Sequence, residues 1–257
     1  VLNDLELREL TFDGVTRPVY RIGSGPAVIV MHEAPGLYPE VAQFGRKVAA
    51  AGFTAYMPSL IGTPDKPYSN GYAVNTLLRA CVAREFTIWA TRKNSAITDW
   101  LRQLARFAYD EAGGGVGAVG MCLTGGFALA MMVDEVVKAP VLSQPSLPFA
   151  VTPAQKRDLG VDDATLERVR ERCEAGACVM GLRFTHDPLV PPQRFQRLRD
   201  ELGDRFIAIE IDSGPGNPHG IPRTAHSVLV YNHVDDRDHP TQQALERVIE
   251  FFADRLQ

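Results

Sequence analysis

The stretch Val116-Gly117-Ala118-Val119-Gly120-Met121-Cys122-Leu123-Thr124-Gly125-Gly126 decides the fold. Its first six residues are apolar or glycine, the composition of a short strand buried on both faces. A helix is expected to begin near Thr124, so the chain must turn abruptly from strand to helix around Cys122. Such a turn lifts its central side chain into solvent above the sheet. It also demands small neighbours, because the strand and helix backbones nearly touch. Gly120, two residues before Cys122, and Gly125, three after it, meet that demand. Thr124 stands where the usual G-x-nucleophile-x-G pattern has its second glycine, and its β-branch is expected to push the helix slightly away from the strand.

On either side of this turn, strand and helix signals alternate, the signature of a parallel sheet with crossover helices. Entry strands are expected over 5–12 and 19–22, joined by a turn at Asp13-Gly14. Further strands are expected over 27–31, 53–57, 116–121, 140–144, 178–184 and 206–211. Helices are predicted over 40–51, 74–89, 95–111, 124–137, 162–175, 193–202 and 241–256. Residues 60–72, with Gly62, Pro64, Pro67 and Gly71, read as a surface loop. No internal repeat or low-complexity segment interrupts the pattern, so residues 1–257 are read as one α/β domain with a mostly parallel central sheet flanked by helices on both faces.

The composition narrows the function classes. The chain has 257 residues, 45% of them hydrophobic and 23% charged, with a net charge of -4. That balance argues against a nucleic-acid binder, which needs basic surface to track phosphates. The arginines at 168, 170 and 172 alternate with acids at helical spacing and read as a solvated helix face. No apolar run reaches the roughly 18 residues of a membrane span. The first residues lack a basic start followed by an apolar core, so no secretion signal is read. Four cysteines without a C-x-x-C pair suggest reduced thiols and a cytosolic location. Oligomeric state is not legible at this level.

A thiol at the turn would sit at a helix N-terminus, where partial positive charge favours the thiolate. The amide of Leu123 would point where an oxyanion develops during acyl transfer. Cys122 is therefore read as a nucleophile, the alternative being a buried cysteine beside a tight turn. On such scaffolds the chain order is nucleophile, acid, histidine, gathered at the carboxyl ends of strands. Asp187, just past the strand over 178–184, is the expected acid; its alternative role is a turn aspartate before Pro188. Two histidines follow the last strand, His226 and His219, and His226 is preferred as the base because it precedes an apolar run where a loop re-enters the fold. His32 and Glu33 lack the spacing of the H-E-x-x-H zinc motif. His186 adjoins the acid and would line the pocket. His233 and His239, among Asp235, Asp236 and Asp238, are read as a solvated loop rather than a metal cluster, so neither metal nor cofactor is expected.

With these residues in place, the chain resembles the dienelactone hydrolase family from about Val19 onward. The resemblance rests on Met31-His32-Glu33-Ala34-Pro35-Gly36-Leu37, Gly120-Met121-Cys122-Leu123-Thr124-Gly125-Gly126, Asp187-Pro188-Leu189-Val190-Pro191 and Ala225-His226-Ser227. It implies an α/β-hydrolase fold and cleavage of small esters or lactones. It also implies that Glu33 contacts the thiol and helps switch it between resting and active states, and that the amide of Ala34 partners Leu123 as oxyanion donor. Thr124 and Pro35 depart from the family's pattern; Arg79 and Arg84 lie near the region of its carboxylate-binding arginines, and that role is carried over to neither. A thioesterase or acyltransferase on the same scaffold, or a non-catalytic protein binding a small carbonyl ligand, are the competing readings.

Overall fold

The protein is described from a computed structural model covering residues 2–69, 71–76, 96–147 and 150–257. Strands β1 (Glu6–Phe12), β2 (Val15–Gly23), β3 (Ala27–Met31), β4 (Thr54–Pro58), β5 (Val116–Met121), β6 (Val137–Ser143), β7 (Val179–Phe184) and β8 (Phe206–Ile211) form one sheet. Its order is β1-β2-β4-β3-β5-β6-β7-β8. β1 and β2 form an antiparallel hairpin, and β2 runs antiparallel to β4. From β4 to β8 every neighbouring pair is parallel. Helices α1 (Pro39–Ala50), α2 (Ala96–Ala112), α3 (Gly125–Met131), α4 (Pro153–Arg157), α5 (Asp163–Glu174), α6 (Pro192–Leu202) and α7 (Pro240–Leu256) complete the described elements. Residues 71–76 are also helical. Most of the helix expected over 74–89, together with Arg79, Arg84 and Cys81, lies outside the described residues.

The pleat sorts the core into two layers. On β5, Val116 and Ala118 face a layer with α2, α3, α5 and α6, while Val119 and Met121 face a layer with α1 and α7. Helix α2 shows why: Ile97, Trp100, Leu101, Leu104, Ala105 and Ala108 are buried, spaced as one face of a 3.6-residue helix. Strands β3, β4, β5 and β7 are buried throughout, which matches continuous apolar runs covered on both sides.

Two strands begin earlier than the sequence suggests. The expected strands start at Val19 and Pro140, whereas β2 starts at Val15 and β6 at Val137, although a proline lacks the N–H of a ladder bond. In the structure both prolines lie inside strands. Pairing of β2 with β4 starts at Val19, and pairing of β6 with β7 starts at Val141. Each proline therefore stands just before its strand gains a second neighbour. The helix expected over 124–137 is correspondingly short, ending at Met131 before a turn leads into β6.

The order of the sheet reverses around β3, which has β4 on one side and β5 on the other. In parallel sheets such a switch point opens a crevice at the carboxyl ends of the strands, and the turn after β5 faces it. There the chain makes a single 3-10 turn, Cys122–Thr124, before α3. A β-carbon on Gly120 would lie 2.1 Å from the Thr124 carbonyl oxygen, and one on Gly125 would lie 2.7 Å from the Cα of Pro145. Thr124 does not wedge the turn open. Its Oγ accepts from the Met121 amide at 2.8 Å and has the carbonyls of Met31 at 3.0 Å and Met121 at 2.9 Å as acceptors. The hydroxyl thus ties the turn to the ends of β3 and β5.

Two outcomes follow for stability. Gly120→Ala sets a side chain against rigid backbone, so chemical denaturation is expected to show a loss of about 1–3 kcal/mol or more. Thr124→Val keeps the shape but strands the buried Met121 amide, and the same measurement should show a loss of about 1–3 kcal/mol; a neutral result would mean the hydroxyl does not hold the turn.

Candidate active site

Five loops bring side chains to the crevice. Glu33 and Ala34 follow β3, Cys122 follows β5, Ser146 follows β6, Asp187 follows β7, and His226 stands in the long connection between β8 and α7. Cys122 has a φ of +55°, the left-handed region that a residue with a β-carbon rarely occupies. The surroundings over-determine it: the Cys122 carbonyl accepts from the amide of Gly125 and, at 3.0 Å, from that of Ser146. Its side chain is partly exposed, and its sulfur accepts from the Ser146 hydroxyl at 3.0 Å. Leu123, next in the turn, is buried.

His226 donates from Nδ1 to Asp187 Oδ2 at 2.6 Å. The Asp187 side chain is fully buried, and its other oxygen accepts from the Leu189 amide at 2.9 Å. A carboxylate held in this way fixes the ring's orientation and its tautomer. At the opposite edge Nε2 is buried and has no hydrogen-bond partner among the described residues. Burial by itself would lower the His226 pKa. The charge of the Cys122 sulfur and the hydrogen bond to Asp187 outweigh it and raise that pKa well above imidazole's ordinary value. The backbone carrying His226 is steadied by Asn232, whose Oδ1 accepts from the amides of His226 and Ser227, each at 3.0 Å. An imidazole oriented by a carboxylate, with its second nitrogen beside a thiol, can take the thiol's proton.

Behind this group lies a buried polar network. Glu33 accepts from the Tyr38 hydroxyl at one oxygen and from Gln144 Nε2 at the other, the latter at 2.7 Å. Gln144 Oε1 accepts in turn from Ser143 and, at 3.2 Å, from the Val228 amide, two residues past His226. Burial pushes the Glu33 carboxyl up, against the lowering pull of the His226 charge and of its hydrogen bonds to Tyr38, Ser227 and Gln144. Glu33 is thus tied to Tyr38 and Gln144 and lies within the field of His226, while the Cys122 sulfur accepts from the Ser146 hydroxyl. Ala34 is partly exposed in the same loop.

The remaining histidines have structural partners. His32 is fully buried, donates from Nδ1 to the Glu33 carbonyl at 3.0 Å, and accepts from the Leu60 amide at 2.9 Å. Burial lowers its pKa to about 4, so it joins two loops as a neutral ring. His219 is exposed, its ring edge-on to His239 at 5.3 Å. His239 caps α7, and His233 bonds Gln242 at 2.9 Å. His186 is exposed, with Nδ1 3.1 Å from the Thr185 hydroxyl. No group of three or more His, Cys, Asp or Glu side chains among the described residues could hold a metal ion. No described helix is long and apolar enough to cross a membrane. Ser146, Gln144, Tyr38 and Asn232 carried no sequence signal: the partners of Ser146 and Gln144 lie far away in the chain, and Tyr38 and Asn232 bond within irregular loops that follow no periodic spacing.

Residues 15–256 match the dienelactone hydrolase family. A Saccharomyces cerevisiae protein named "Putative carboxymethylenebutenolidase" is 25% identical over 226 residues, covering 83% of this chain and 71% of its own. Among solved structures, a "Putative Dienelactone Hydrolase" from Klebsiella pneumoniae superposes with a TM-score of 0.65 at 17% identity, covering 97% of this chain and 98% of that one. P91, a dienelactone hydrolase-like promiscuous phosphotriesterase from metagenomic libraries, gives 0.61 at 18% identity, covering 99% of this chain and all 100% of that one. The structural likenesses speak for the fold. The match over nearly the whole sequence speaks for the family: the chain belongs to the dienelactone hydrolase family and is a carboxylic ester hydrolase.

Proposed function

We propose that the protein hydrolyses small esters or lactones through a Cys122–His226–Asp187 triad and a thioester acyl-enzyme. The observation that carries this reading is a strained cysteine beside a buried imidazole whose Nδ1 edge is fixed by a carboxylate. His226 takes or holds the thiol proton, oriented by Asp187. The sulfur attacks the ester carbonyl, and the amides of Leu123 and Ala34 receive the developing oxyanion. The imidazolium protonates the departing alkoxide, and water activated by His226 then cleaves the thioester. The name of the yeast relative contains a butenolide, an unsaturated lactone, which supports a lactone among the substrates. The Glu33 carboxyl lies within the field of His226, which supports a role in setting the resting state.

Three measurements check the reading. With a panel of p-nitrophenyl esters, enol-lactones and acyl-thioesters, Cys122→Ala should lower kcat by about 1,000-fold or more, whereas His219→Ala should change it less than about twofold because that ring is exposed and engaged elsewhere. The panel also separates ester and lactone cleavage from thioesterase activity. Mass spectrometry of the quenched reaction should find acyl groups on Cys122; full activity in Cys122→Ala would overturn the mechanism. By NMR, the His226 ring in Cys122→Ala should titrate at lower pH than in the wild type, because the charge that raises its pKa has been removed while its burial persists. An unchanged titration would mean that the sulfur is not the partner.

A further inference from the structure

The reading above leaves unassigned the residue that touches the nucleophile. Ser146 is nearly buried and makes two bonds to one residue: its amide donates to the Cys122 carbonyl and its hydroxyl to the Cys122 sulfur, each at 3.0 Å. Besides the sulfur, the hydroxyl is within reach of the Gln144 carbonyl, at 3.3 Å. The segment carrying it is fixed from three sides. Gln144 bends the chain with a φ of +36°, Pro145 packs against Gly125 of α3, and the Pro145 carbonyl accepts from the buried Arg194 guanidinium at 2.8 Å. The hydroxyl is therefore aimed at the sulfur by the fold rather than by chance rotation of a surface serine.

We propose that Ser146 is a catalytic residue, its hydroxyl donating a hydrogen bond that holds the Cys122 thiolate in the resting enzyme and releases it as the sulfur–carbon bond forms. The inference rests on the nucleophile reading of Cys122. The titratable groups facing the sulfur are His226, from the loop after β8, and Tyr68, from the loop after β4. Ser146 adds a neutral donor to that set. In the acylation step a sulfur lone pair becomes the bond to carbon, the carbonyl π pair moves to oxygen, and Ser146 keeps its proton throughout. A thioester sulfur is a poor acceptor, so the hydroxyl then turns to the Gln144 carbonyl. When the tetrahedral species collapses, the oxygen pair returns and the alkoxide leaves with the proton of the imidazolium.

Such a donor stabilises the thiolate and at the same time blunts it. A charge-assisted hydrogen bond of ordinary strength corresponds to a shift of about one pH unit in the midpoint of thiolate formation. Intrinsic thiolate reactivity changes about threefold over the same interval. Site-resolved iodoacetamide labelling of Cys122 against pH is thus expected to give crossing curves. Ser146→Ala should have its midpoint about one unit higher, with labelling about threefold slower on the acid side and about threefold faster on the alkaline plateau. Ser146→Thr, which keeps a hydroxyl, should return toward the wild-type curve. Ser146→Gly is measured alongside, so that either folded variant lacking the hydroxyl suffices. Superimposable curves for wild type and the hydroxyl-free variants would overturn the proposal, as would a uniform change in rate with no shift of midpoint. Labelling needs no ester, so the outcomes separate: full esterase activity in Cys122→Ala would remove the hydrolase mechanism, whereas flat labelling differences with Cys122→Ala inactive would remove only the role of Ser146.

Discussion

The close approach of β5 to the start of α3 governs this molecule. Gly120 leaves room for the Thr124 carbonyl where any β-carbon would collide, and the chain between them reverses within one 3-10 turn. That reversal forces Cys122 into left-handed backbone geometry, at a cost on the order of 1–3 kcal/mol. Thr124 offsets it by bonding across to β3, and Gly125 lets the Pro145 segment close against the helix. A sulfur presented at the mouth of the crevice results directly from this packing. So does the nearness of Ser146, because the backbone contact that seats Pro145 also places the next residue on the cysteine.

Around that turn the structure spends its buried polar groups on orientation. Glu33, Tyr38, Gln144 and the Val228 amide form one chain of hydrogen bonds linking the loops after β3, after β6 and after β8. Asp187 and Asn232 grip the His226 segment from two other directions. Each loop alone would be mobile surface, but shared partners make their positions mutually dependent. Arg194, buried among backbone carbonyls of Asp158, Pro145 and Leu189, extends the same logic to the loops after β6 and β7. Its pKa is lowered to about 10 by that burial, which still leaves it charged at neutral pH.

Departures between sequence expectation and structure follow pairing that sequence does not display. Strands β2 and β6 start earlier than their apolar runs suggest, with Pro18 and Pro140 placed just before a second neighbour pairs. Thr124 reads as a steric burden, yet its hydroxyl finds strand-end carbonyls and becomes a tie. Helix α3 reads as long because residues 132–137 stay largely apolar, though the chain leaves the helix after Met131 to start β6.

The sequence by itself determined the alternation of strands and helices, the hairpin turn at Asp13-Gly14, the elbow at Cys122 and a short roster of acids and histidines downstream. These are properties of local spacing: apolar runs, turn residues and small neighbours act within a few positions of one another. Local reading preferred His226 over His219 as the partner of Asp187, but His219 stayed an alternative because both lie in one connection and only the fold decides where each is carried. Tertiary structure brought the His226 ring within 2.6 Å of Asp187 and left His219 edge-on to His239. It also decided that Ser146 touches the sulfur and that Glu33 is held by Tyr38 and Gln144, since hydrogen bonds among five separate loops exist only once the sheet order has set their strand ends side by side.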